Sequence, residues 1–299
     1  MSENPVIPAL TPGHAAPKSM PTWANRTFTD FLNDTQTLGE VLDLCMQGIT
    51  MVTATPNAVR VLYEVGPTQD AEAKRHIDFA ERRARLARRE VDSDFNLLHS
   101  QAVVSLWSAL EDLVKTFVAR WLAEIPETRR EPPWSDLRVK LGEYEQFDEE
   151  EKGFYLVELA EQNTGAALRK GVNRFECLLD KLGLSGPVDD ETSRMLFEMQ
   201  QVRNVIAHRR GIADLKFCQL CPAYGATLGK RLMVSRAKSG AFWTATHRYV
   251  CELIFRTGEK FGDYEIRERP KWPKCPVCGS PRRPGEEREC STHGTKSSA

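Results

Sequence analysis

No stretch of the sequence approaches 18 consecutive apolar residues, so no segment reads as a membrane-spanning helix. The first residues lack a charged stretch followed by an apolar one, so no secretory signal is expected. Charge of one sign is missing too: the formal net charge is -1. That excludes a protein basic throughout and confines any nucleic-acid surface to a local patch. No internal repeat is visible. The expectation is a cytoplasmic globular chain of 299 residues, in one or two domains, with length enough for a sizeable core. In that compartment its eight cysteines read as thiols or metal ligands rather than disulfides.

What is present is mostly helical pattern. Residues 1–25 are rich in Pro and small residues and read as a disordered tail. Residues 26–68 are ambiguous. Phe28 to Leu44 suggest one or two short helices, and then either Ile49–Thr53 and Val59–Tyr63 form a hairpin or Thr55-Pro56 caps another helix. From Thr68 the helical signal is strong, and 82–89 place five arginines in eight residues, a solvated face or an RNA-phosphate contact. Phe95 to Leu122 carries an apolar stripe from Val103 to Trp121, wide enough for a bundle core, with Ser108 and Glu111 at its polar edge.

After a Pro-rich loop at 124–135, helices are expected at Gly153–Gln162 and Thr164–Leu184. One more is expected from Asp189 or Asp190 to Gly211. Lys216–Leu220 and Arg231–Val234 look like short strands or an irregular excursion, and Ala237–Phe261 like a last long helix. Cys45, Cys177 and Cys251 sit in apolar helical contexts and read as core. The fold class is all-α: a bundle of four to five long helices over 69–262.

The densest chemistry lies in Gln201–Gly211, Q-V-R-N-V-I-A-H-R-R-G. Met195, Met199, Val202 and Ile206 give this helix its buried face. Asn204 and His208, four apart, share another face, while Arg203 is about 140° around from His208. A histidine, a fixed cation and an amide suit proton transfer and charge stabilisation. The same residues fit a helix end whose His208, Arg209 and Arg210 complement the dipole.

L-W-S-A-L-E-D-L on one helix, R-N-V-I-A-H-R-R-G closing a later one, and a further helix after it resemble the HEPN superfamily over about 95–261. Members are α-helical bundles, many of them metal-independent endoribonucleases or toxin-like effectors. Their signature is an Arg, often followed by a polar residue, and a His four to six positions on. The resemblance implies Arg203, Asn204 and His208 as catalytic residues, with no cofactor for catalysis. It also implies a homodimer that pairs two copies of the helix end, and a cut through the RNA 2′-hydroxyl that leaves a 2′,3′-cyclic phosphate and a 5′-hydroxyl. A toxin or defence role with a regulatory or antitoxin partner fits such a chain. So does a non-catalytic module that binds RNA or a regulatory protein.

A second constellation lies in 263–299. Cys275, Cys278, Cys290 and His293 form C-x2-C-x11-C-x2-H, two ligand pairs suited to tetrahedral, structural Zn²⁺. With so few apolar residues the segment would need the metal to fold. A competing site pairs Cys218 and Cys221 with Cys275 and Cys278.

Overall fold

The computed structural model describes residues 19–65, 71–166 and 169–263. The four zinc donors proposed for the tail, Cys275, Cys278, Cys290 and His293, lie outside the described residues. So does most of the stretch read as a tail, although helix α1 (Thr22–Val52) begins inside it, with Met20 and Ala24 already buried. The described chain is all-α. The single pairing of extended backbone is an isolated bridge between Ile212 and Arg231. Among the described residues no helix is long and apolar enough to cross a membrane.

Around residues 28–65 the helix alternative holds and the hairpin does not. Helix α1 is one 31-residue element, and α2 (Thr55–Val65) follows it directly, with Pro56 in its first turn. Threonine is a weak helix former. Thr27, Thr35, Thr37 and Thr50 each donate a hydroxyl to the carbonyl four residues back, which satisfies the hydroxyls within α1 but adds no helix stability of its own. The remaining drive is tertiary. Trp23, Phe28 and Phe31 enter the common core, Trp23 and Phe28 with ring centroids 5.6 and 5.1 Å from Phe117.

Helix α3 (Ala71–Asp92) returns beside α2 and runs into α4 (Asn96–Glu124) through a tight turn. There Asp94 and Phe95 both take left-handed backbone, φ 53° each. Asn96 and Asp94 hold that turn by accepting from the Val234 and Arg236 amides. Helix α4 is the spine of the bundle. It buries Val103, Leu106, Trp107, Leu110, Val114, Phe117 and Trp121, as its stripe demands. Around it pack α1, α6 (Glu149–Thr164), α7 (Asn173–Leu179), α8 (Asp190–Arg209) and α10 (Arg236–Phe261), while α5 (Leu141–Tyr144) is a single turn before α6. The acidic run 148–151 starts α6 as a full capping box, Asp148 with Glu151.

Two expected elements differ. Thr164–Leu184 is not one helix: Gly165 and Gly171 take left-handed backbone (φ 61° and 58°), which ends α6 and redirects the chain into the short α7. Lys216–Leu220 is not a strand but α9 (Leu215–Leu220), because Asp214 caps it by accepting from the Phe217 amide at 2.8 Å. Cys45 is another correction. It is exposed on the outer part of α1, whereas Cys177 and Cys251 are half-buried against neighbours. The outer half of α1 leaves the bundle core, so an apolar context in sequence did not become a buried one.

Candidate functional site

Helix α8 owes its place to a buried polar clamp on the loop before it. The Arg256 guanidinium bonds Glu176 and the carbonyls of Leu184 and Pro187, and the Tyr249 hydroxyl donates to Glu176 at 2.7 Å. Burial, then the Glu176 carboxylate, push the Tyr249 phenol far above its ordinary range, so it stays a donor. Asp189 caps the helix by accepting from the Thr192 amide. Met195, Leu196, Met199, Val202 and Val205 then bury its inner face. Ile206, the remaining residue of the expected stripe, is half-buried against it.

The helix ends on Arg210 and Gly211, both with left-handed backbone, and the Gly211 amide reaches back to the Val205 carbonyl. The Gly211 carbonyl accepts from Leu232, and Ala213 exchanges bonds with Gly229 and Lys230, which stitches the helix end to the returning chain. Arg209 pairs with Asp214 at 3.5 Å, and Arg210, Lys230 and Arg231 are exposed nearby. Exposed Arg209, Arg210, Lys230 and Arg231 make this helix end locally basic.

Arg203 is half-buried and committed inward. One guanidinium nitrogen donates to Asn204 Oδ1 at 3.2 Å, and the other stands 3.8 Å from Glu111 Oε2 on α4. Its Nε is buried with no hydrogen-bond partner among the described residues. Glu111 is shared: Arg174 of α7 lies 2.6 Å from its other oxygen, close but not aligned as a hydrogen bond. Arg174 in turn approaches Glu161, which pairs with Lys115 at 2.6 Å. A row of alternating charges thus crosses α4, α6 and α7 and ends on Arg203 and Asn204. Such a row draws the Arg203 guanidinium inward, toward Glu111 and Asn204.

His208 is exposed at the helix end, and among the described residues no hydrogen bond or ion pair joins it to Arg203 or Asn204. The structure therefore brings Arg203 and Asn204 together and leaves His208 one turn further on, open to solvent. Glu111 was visible in sequence as the polar edge of the α4 stripe. Arg174 carried no sequence signal, because its partner lies 63 residues earlier on another helix.

Among the described residues no group of three or more His, Cys, Asp or Glu is placed to hold a metal. Cys218 is half-buried, with its thiol 3.7 Å from the Ala226 carbonyl, and burial pushes the Cys221 thiol up to about 11. Both residues belong to α9 and its end, against the bundle. No family model, no curated protein and no solved structure matches the chain.

Proposed function

We propose that the chain is an endoribonuclease of the HEPN type, working at the end of α8. The observation that supports it most is Arg203: a half-buried guanidinium held by Glu111 and Asn204, one turn before an exposed histidine in a basic patch. In this reading Arg203 and Asn204 stabilise charge on the phosphorane, and His208 moves the proton between the 2′-hydroxyl and the 5′-oxygen. The products are a 2′,3′-cyclic phosphate and a 5′-hydroxyl. One imidazole does not serve both as base and as acid in a single step, so a symmetric dimer supplies the second His208. His208→Ala should abolish cleavage of RNA by the purified protein while circular dichroism stays unchanged. Arg203→Lys should also be poor, since an ammonium lacks the planar fork. Cleavage that persists in His208→Ala, read from the chemistry of the RNA ends, sinks the assignment.

A second reading is favoured by the Glu111–Arg203 pair itself. A guanidinium already facing a carboxylate has part of its charge answered, which suits a helix brace in a non-catalytic module that binds RNA or a regulatory protein. Zinc in the tail stands with either reading. The donor set Cys275, Cys278, Cys290 and His293 suits a closed tetrahedral site, whose metal would order the segment rather than react. Metal analysis should give one zinc per chain, lost in Cys290→Ser; a variant that keeps its zinc overturns the ligand set.

A further inference from the structure

A cleft of about 290 Å³ opens between the start of α7 and the outer face of α8, away from the motif. Lys170, Asn173, Asp190, Ser193, Arg194 and Phe197 line it. Lys170, Asn173 and Arg194 are exposed and Phe197 is half-buried. Among the described residues the side chains of Lys170, Asn173, Ser193 and Arg194 make no hydrogen bond or ion pair. This contrasts with the charged row around Glu111, where each group already has a partner. The wall is tightly built all the same. Gly171 has φ 58°, its amide donates to the buried Gln200 at 2.8 Å, and a Cβ there would sit 3.0 Å from the Phe197 Cα.

The helix connects this cleft to the motif. Phe197 precedes Asn204 by seven residues and His208 by eleven. At about 100° per residue Asn204 and His208 each lie within about 20° of Phe197, on opposite sides of it, so the three share one face, and Asn204 lies about 10 Å further along. Two free cations, an aromatic face and unused amide and hydroxyl groups are what one nucleotide of a single strand requires: phosphate neutralisation, base stacking and edge contacts. We propose that this cleft is a subsite for single-stranded RNA. It holds a nucleotide some two or three positions from the one at His208, with the base on Phe197 and its phosphate between Lys170 and Arg194.

The inference rests on the ribonuclease reading for what happens at His208, but binding tests it alone. The probe is a fluorescein-labelled RNA of about ten nucleotides, a length within the range one single-strand-binding surface covers. Its anisotropy is followed with full-length His208→Ala protein. Phe197→Ala should weaken binding about tenfold and Phe197→Trp should restore it. Lys170→Ala with Arg194→Ala should lower the slope of log affinity against log salt by about 0.7, the contribution of the one phosphate the two cations share. A dinucleotide, too short to span both places, should be indifferent to all of these variants.

Unchanged affinity and slope in folded variants overturn the subsite, and so does an equal loss for dinucleotide and long RNA. No RNA binding by the parent protein overturns it as well. If the variants lose binding as expected while the protein with intact His208 cuts no RNA, the cleft stands and the ribonuclease reading falls. If cutting is seen and binding is indifferent to the variants, the reverse holds.

Discussion

The bundle around α4 and the arm formed by the outer α1, α2 and α3 are both helical, yet they are held by different physics. In the bundle, large side chains interlock: Trp107 lies 5.4 Å from Phe175, and Phe175 lies 5.9 Å from Tyr249, centroid to centroid, all three essentially without solvent exposure. In the arm, α3 buries only alanines, at 73, 80, 84 and 87. Its ties also include surface contacts: Arg60 with Glu81, Tyr63 with His76, and Arg88 with the Thr53 carbonyl. Leu44, Met51 and Leu62 are 65%, 75% and 72% exposed there, whereas the leucines of α4 from 106 to 122 have almost no exposure. Methyl groups bury little area, and exposed ion pairs contribute at most about 1 kcal/mol each. The bundle therefore carries the stability, and the arm depends on it.

The sharpest break of this comparison is a pair of truncations. Trp107→Ala should cost about 3–5 kcal/mol in urea denaturation, since it removes a fully enclosed indole. Leu62→Ala should stay within about 0.5 kcal/mol. Equal losses would show that the arm is packed as firmly as the bundle.

Two glycines sharpen it further, with opposite signs. At Gly153 of α6 a Cβ would overlap the Ala119 carbonyl of α4, so Gly153→Ala should cost about 1–3 kcal/mol. At Gly48 nothing lies within 4 Å of the added carbon, and Gly48→Ala should stabilise by about 0.5–1 kcal/mol. Thermal melts of the two variants should move in opposite directions; a shared sign defeats the distinction.

The smallest effect is expected where the two regions join. His99, in the first turns of α4, is 2% exposed, and neither ring nitrogen has a hydrogen-bond partner among the described residues. Burial is the main cause that lowers its pKa from 6.5, with Arg236 adding to it and Asp94 and Asp43 opposing. The unfolded chain then binds the proton more readily than the folded one. Its contribution is therefore fully present above about pH 6.5 and is lost as the pH falls through the depressed folded value. His99→Leu should flatten that acid limb of stability against pH and leave the neutral value little changed. An unaltered slope would assign the acid limb to other groups.

Long stripes with a strong period were legible. The expected Phe95–Leu122 is Asn96–Glu124, and the expected 237–261 is Arg236–Phe261, because a broad apolar face has one way to be buried. The motif helix was legible down to its stop at Gly211. Residues 28–65 were not, since threonine-rich sequence favours no element until Trp23 and Phe28 meet Phe117. Of the candidate site, Arg203, Asn204 and His208 could be named from their spacing. Arg174 could not.

Sequence by itself determined the all-α class, the spine helix and the register of the motif, all properties of local periodicity and caps. Only the tertiary structure decided which way Arg203 turns, toward Glu111 and Asn204 while His208 faces solvent. It alone put Lys170 and Arg194 on one cleft with Phe197. These depend on which helices meet and at what height, and a period of 3.6 residues carries no information about a partner some sixty residues away.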